Sequence, residues 1–153
     1  MTSVHAVPAR QPEPVRQFSV FTANRLGRLR DLVSLLSSNH VDILALTVLD
    51  TTDSAIIRLV TDDPDKTRDL LRQQDIAFTE GQLVAVELDS ATQLNGLMTA
   101  LLEAELNINY LYSFIPHPHG KSILALSLED SEMAEHVLKS HQFRLLRQAD
   151  ISR

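Results

Sequence analysis

Residues 18–43 of this 153-residue chain and residues 83–108 carry the same apolar positions at an offset of 65, and this repetition limits the fold more than any other feature. Leu29 meets Leu94, Leu32 meets Leu97, Val33 meets Met98, Leu36 meets Leu101, Val41 meets Leu106 and Ile43 meets Ile108. A second window repeats at an offset of 67, where Ile56 meets Ile123, Leu59 meets Leu126, Asp63 meets Asp130 and Leu71 meets Leu138. Two windows in the same order make the chain a tandem repeat of one structural unit. The two extra residues of the second copy fall most naturally in the turn Pro116-His117-Pro118-His119-Gly120, because hairpin loops tolerate insertion.

Within each copy the hydrophobic period alternates between two and 3.6. Phe18 to Thr22 reads as a strand, and Leu29, Leu32, Val33 and Leu36 then recur at helical spacing. Ile43 to Leu49 and Ala55 to Val60 read as strands about the turn Asp50-Thr51-Thr52-Asp53. The next helix opens with Asp63 as N-cap and Pro64 at the first helical position, with Thr67, Leu70 and Leu71 facing inward. Ile76 to Thr79 supplies a last strand. The second copy repeats this through Leu83–Leu88, Leu94–Leu102, Ile108–Ile115, Ser122–Leu128, Met133–Leu138 and Phe143–Leu146.

The expected fold is therefore α+β: two ferredoxin-like βαββαβ units in tandem, each an antiparallel sheet with its helices on one face. The boundaries are a flexible N-terminal arm over residues 1–16, which contains Pro8, Pro12 and Pro14, units over 17–81 and 82–148, and a tail over 149–153. Both faces of the strands are apolar: Ile43, Ala45 and Leu49 oppose Leu44, Leu46 and Val48, and Tyr110, Tyr112 and Phe114 oppose Leu111 and Ile115. Something must cover the face that the helices leave open, and a second copy of the chain is the simplest candidate, so a homodimer is expected.

Several function classes are excluded or disfavoured by composition. The chain has no cysteine, hence no disulfide, thiolate metal site or Cys nucleophile. A formal charge of −6 opposes general phosphate-backbone binding, and the basic surface and stacking aromatics of RNA-binding modules are missing. No membrane-length apolar run or signal region is present, so a cytoplasmic protein without nucleic-acid or membrane partners is expected. Phosphate-loop, dinucleotide and nucleophile-elbow patterns fail with only Gly27, Gly81, Gly96 and Gly120 available. His117 and His119 make only two potential metal ligands, and His136 and His141 do not share a helical face, so neither a metal nor another cofactor is expected.

At Thr22-Ala23-Asn24-Arg25-Leu26-Gly27-Arg28-Leu29, followed by Asn39-His40-Val41-Asp42-Ile43, the sequence resembles the ACT domain family of small-ligand sensors attached to enzymes of amino-acid metabolism. The family turn usually reads Asn-Arg-Pro-Gly-x-Leu and its second strand opens Gly-x-Asn-Ile; here Leu26 replaces proline and Asp42 replaces asparagine. The second copy keeps Leu106-Asn107-Ile108, but its turn Asp89-Ser90-Ala91-Thr92-Gln93-Leu94 has lost proline and glycine. The resemblance runs from about Gln17 to Leu146 and implies a non-catalytic regulatory protein that binds an amino acid between ACT-like domains. The other reading is a ligand-free interaction module docked on a metabolic enzyme.

The physics of such a turn suits an amino acid. Free N–H groups at a helix start near Gly27 favour a carboxylate, and Gly27 permits close approach. Asp42, or Asn107 in the second copy, is then the partner for the ammonium group. The first site comprises Asn24, Arg25, Leu26, Gly27, Arg28, Leu29, Asp42 and Ile43, and a weaker second site comprises Asp89, Ser90, Ala91, Thr92, Asn107 and Ile108. Leu26, Leu29 and Ile43 suggest a branched-chain ligand. The plainer reading makes Asn24 a helix cap, Gly27 a turn residue and Asp42 a solvent-facing side chain.

Overall fold

A computed structural model describes residues 12–23 and 27–152. Among them the chain forms seven strands and five α-helices: β1 (Val15–Ala23), α1 (Arg28–Ser38), β2 (Ile43–Asp50), β3 (Ser54–Thr61), α2 (Pro64–Gln73), β4 (Phe78–Leu88), α3 (Leu94–Glu103), β5 (Ile108–Ser113), β6 (Ser122–Leu128), α4 (Ser131–Ser140), β7 (Arg144–Leu146) and α5 (Gln148–Ile151). The order is two βαββαβ units, as the repeat requires. None of the described helices is long and apolar enough to cross a membrane.

The two units share a strand. The sequence suggests separate strands at Ile76–Thr79 and Leu83–Leu88, yet β4 runs through Gly81 without a break. Its first half pairs antiparallel with β1, from Val20↔Phe78 to Val15↔Leu83, and its second half pairs with β6 and β7. The full sheet order is β2-β3-β1-β4-β6-β5, with β7 beside β4. The edge strands then return to each other, because Ala45 bridges Phe114 and the Ile115 N–H donates to the Leu44 carbonyl at 2.7 Å. The sheet is thus curled, with its helices outside.

This curl supplies the cover that the apolar strand faces demand. Phe18, Val20, Ile57 and Leu59 pack beneath α1 and α2, while Val84, Val86, Leu126 and Leu128 pack beneath α3 and α4. The opposite strand faces meet inside the curl, where Val15, Ala45 and Val60 of the first unit pack with Leu83, Tyr112, Phe114 and Leu146 of the second. The expected cover by a second copy is corrected on this face: the other half of the same chain covers it. Polar contacts also cross the inner space. Gln17 Nε2 donates to the Tyr110 hydroxyl at 2.7 Å, the Tyr112 hydroxyl donates to Gln17 Oε1 at 2.6 Å, and the Arg58 guanidinium lies 4.1 Å from the Tyr110 ring centroid. Burial pushes the Tyr112 phenol above its ordinary range.

The chain ends are held by the same strands. Val15 and Arg16, assigned by sequence to the arm, begin β1, and Val15 is fully buried. The Gln148 N–H donates to the Glu13 carbonyl, the Arg16 N–H donates to Gln148 Oε1, and Ile151 packs on the inner core. Residues 148–151 are therefore a docked helical turn where the sequence suggests a tail.

One local device recurs four times. His40, Asp75, Glu105 and Gln142 follow the ends of α1, α2, α3 and α4 with φ of 61°, 54°, 56° and 67°. The next residue in each case, Val41, Ile76, Leu106 or Phe143, donates its N–H to a carbonyl of the last helical turn. These are Schellman ends, built without the usual glycine. Glu105→Gly should therefore raise unfolding free energy by about 1 kcal/mol in a urea titration, by relieving a left-handed backbone. Tyr112→Phe should lower it by about 1–2 kcal/mol in the same measurement, because the buried Gln17 Oε1 loses its donor.

Candidate functional site

Gly27 forms the start of α1 with φ 91°, and its carbonyl accepts the Asp31 N–H at 2.9 Å. A Cβ there would meet nothing within 4 Å. Glycine is thus required by backbone conformation, a reason that stands beside the close approach expected from the sequence. Among the described residues no side chain caps this helix start. Arg28 follows as the first helical residue and is exposed; Asn24, Arg25 and Leu26 lie outside the described residues.

Asp42 stands at the far end of α1. The helix has 11 residues, so at 1.5 Å per residue its ends are about 16 Å apart. Within one unit no amino acid spans Gly27 and Asp42, and the structure does not bring these two residues of the expected site together. The Asp42 N–H donates to Asp62 Oδ1 at 2.9 Å, and the Asp62 N–H donates back to the Asp42 carbonyl at 3.1 Å. That exchange ties the start of β2 to the end of β3. Ile43 packs half-buried beside the first core, and Leu29 is 38% exposed on another flank of α1.

What the first turn does border is a cleft of about 640 Å³ between the start of α1 and the end of α2. Arg28, Asp31, Gln74 and Asp75 give its polar rim, and Val20, Leu32, Leu35, Ile57 and Ile76 give its apolar floor. The guanidinium and the two carboxylates offer opposite charges over a nonpolar surface, a combination complementary to a zwitterion with an aliphatic side chain. Sequence reasoning reached Arg28 but missed Asp31, Gln74, Asp75 and Ile76. Asp31 is one helical turn from Gly27, a proximity that could have flagged it. The other three come from a loop more than forty residues away and join the site only through packing.

A charge cluster ties α2 to β4 and β1. Glu80 on β4 accepts from Arg68 of α2, with Nη2 to Oε2 at 2.8 Å and a second contact from Nε, and from Arg16 Nη1 at 3.2 Å. The Arg68 hydrogen bonds hold the Glu80 carboxyl below the usual carboxylate range, and the carboxylate raises Arg68 in turn. Since the folded-state pKa is depressed, this contribution to stability is present above the ordinary value of 4.5 and is lost as pH falls through the folded value. Acid titration of unfolding stability should therefore show a loss below about pH 4.5 that is smaller in Glu80→Gln, whose stability at neutral pH is already reduced.

In the second unit the corresponding elements are filled. Gly96 stands where the first unit has Asp31, and Phe143 stands where it has Ile76. The ring of Phe143 reaches within 3.8 Å of the position a Cβ on Gly96 would occupy. The turn itself is satisfied by its own side chains. The Asp89 N–H donates to Gln93 Oε1 at 2.6 Å, Asp89 pairs with Lys121 at 3.3 Å, Ser90 and Thr92 hydroxyls lie 2.5 Å apart, and Ala91–Gln93 form a short 3-10 turn. Asn107 donates to Glu129 Oε2 at 3.1 Å, at the other end of α3, beside half-buried Ile108.

The family model described as ACT domain pair matches residues 14–153. No curated protein matches the chain. Among solved structures, a protein of Bacteroides thetaiotaomicron is similar at 23% identity and a TM-score of 0.83, over 93% of this chain and 98% of that one. The ligand-free regulatory subunit of aspartate kinase from Thermus thermophilus is similar at 12% identity and a TM-score of 0.60, over 84% of this chain and 91% of that one. The regulatory subunit of aspartate kinase from Thermus flavus gives 13% identity, a TM-score of 0.57, and coverage of 86% and 93%. At these identities the likeness is one of fold.

Proposed function

The chain belongs to the ACT domain family, and we propose that it is a non-catalytic regulatory protein that binds an amino acid in the cleft of its first unit. The observation that carries this reading is the asymmetry between the units: one cleft is open and lined by Arg28, Asp31 and Asp75, and its counterpart is occupied by Phe143 against Gly96. In this proposal Arg28 and the start of α1 receive the carboxylate, and Asp31 or Asp75 receives the ammonium group. The aliphatic side chain lies on Val20, Leu32, Leu35 and Ile57, so the branched-chain amino acids fit best. Leu29 and Ile43, the flanks that first suggested such a ligand, do not line the cleft. The second unit serves as support, and the active assembly is a homodimer that acts on its own association or on a partner enzyme. A ligand has either effect only by binding one arrangement more tightly than another.

Thermal unfolding of the full chain with each of the twenty amino acids tests this. At a hundredfold excess over Kd the stabilisation is about 2.7 kcal/mol, which for a chain of this size raises Tm by roughly 5–10 °C. Arg28→Ala should abolish the shift and leave the ligand-free Tm unchanged, because Arg28 is exposed. Asp42→Ala should preserve the shift; its loss would move the ammonium contact to an Asp42 supplied by another unit. No shift with any amino acid would sink the sensor reading and favour a docking module.

A further inference from the structure

Arg16, Arg58, Arg68 and Arg147 are half-buried, and all but Arg58 meet a carboxylate: Arg16 and Arg68 share Glu80, and Arg147 pairs with Glu135 at 2.9 Å. Among the described residues no carboxylate forms an ion pair with Arg58, and its Nε is buried without a hydrogen-bond partner. Drawing a guanidinium out of water without a counter-charge costs free energy, so the placement calls for a cause. The cation rests on the face of Tyr110.

The side chain of Arg58 points into the curl. It shares a strand face with Val60 of the inner core, whereas Ile57 and Leu59 on the other face pack under the helices. Ser19 of β1 and Thr47 of β2 flank it in register. One step further along the same faces, Phe21, Ile56 and Leu49 form an apolar row across the three strands, and Phe21 and Leu49 are 43% and 49% exposed. The seam where β2 and β5 meet consists, among the described residues, of the Ala45–Phe114 bridge and the Ile115–Leu44 hydrogen bond, at the opposite end of β2 from Leu49. Beyond that bridge the two strands are unpaired, and the curl has a mouth between Leu49 and Tyr110.

The hydrogen bonds inside this mouth run in one direction. The Tyr112 hydroxyl donates to Gln17 Oε1, and Gln17 Nε2 donates to the Tyr110 hydroxyl. The chain therefore ends on the Tyr110 O–H, which has no acceptor among the described residues and stands beside the unpaired guanidinium. Donors and positive charge converge where no acceptor is present, which is the complement of an anion. We propose that the mouth binds an organic carboxylate with an apolar tail, its carboxylate held by Arg58 and the Tyr110 hydroxyl and its hydrocarbon laid on Phe21, Ile56 and Leu49. The flanking Ser19 and Thr47 hydroxyls give an ammonium group no counter-charge, so this ligand is not an amino acid. The site is also distinct from the cleft of the first unit, whose floor includes Ile57 on the other face of β3; of the residues named for the mouth only Phe21 borders both.

The chain has no tryptophan, and both of its tyrosines, Tyr110 and Tyr112, stand here, so its intrinsic fluorescence reports this mouth. Sodium octanoate titrated into the full chain should change that fluorescence saturably. Octanamide, with the same tail and no charge, and inorganic phosphate, with charge and no tail, should leave it unchanged at the same concentrations. Arg58→Gln should weaken octanoate binding at least about tenfold while circular dichroism stays that of the wild type. Tyr110→Phe, followed by calorimetry, should weaken it too, and serves as the test if Arg58→Gln does not fold. No saturable response to octanoate, or one that octanamide matches or Arg58→Gln retains, would overturn the site. An equal response to phosphate would overturn the assignment of an apolar-tailed ligand.

Discussion

A sheet with helices on one side leaves its other side to water, and strands that are apolar on both faces cannot accept that arrangement. Burying that second face controls the rest of this molecule. The continuous strand β4 holds the two units in one sheet, and the curl brings their open faces together so that Val15 and Val60 pack with Tyr112 and Phe114. At about 25 cal/mol per Å² of apolar surface removed from water, burial of this inner core contributes to offsetting the entropy lost in ordering two small units. Gln17 and the two tyrosines then add directional contacts, which resist sliding of one unit against the other.

The same closure leaves a different surface unsatisfied. Once the inner faces are consumed within the chain, most of the exposed large apolar groups are those of the seam and the outer flanks of α1 and α3. The cleft and the exposed apolar stripe fall on opposite flanks of one helix, with Arg28 and Asp31 toward the cleft and Leu29 and Val33 toward the seam. A small rotation of α1 would be felt at both, which is the physical requirement for coupling them.

Divergence of the repeats has an equally local cause. Replacement of an Asp31-like position by Gly96 removes a side chain, and Phe143 in place of an Ile76-like residue supplies a ring that fills the space. One unit thus keeps a cleft and the other a packed core, with the backbone order unchanged. The four glycine-free helix ends, by contrast, persist in both copies because each delivers an apolar residue into its own core.

The periodicity of apolar residues determined the number of units and the order of strands and helices, and local residue types marked the cap at Asp63 and Pro64 and the turn at Gly27. These depend on neighbours within a few positions, where side-chain spacing and φ preferences act directly. Tertiary structure alone decided that β4 is one strand, that Val15 begins β1 by pairing with it, and that the second strand face is buried within the chain. It also decided that Asp42 is a helix length from Gly27, whereas Gln74 and Asp75 are beside Arg28. Spacing along the chain carries no information about which ends of two helices meet; that is set by how the sheet curls and which surfaces it must exclude from water.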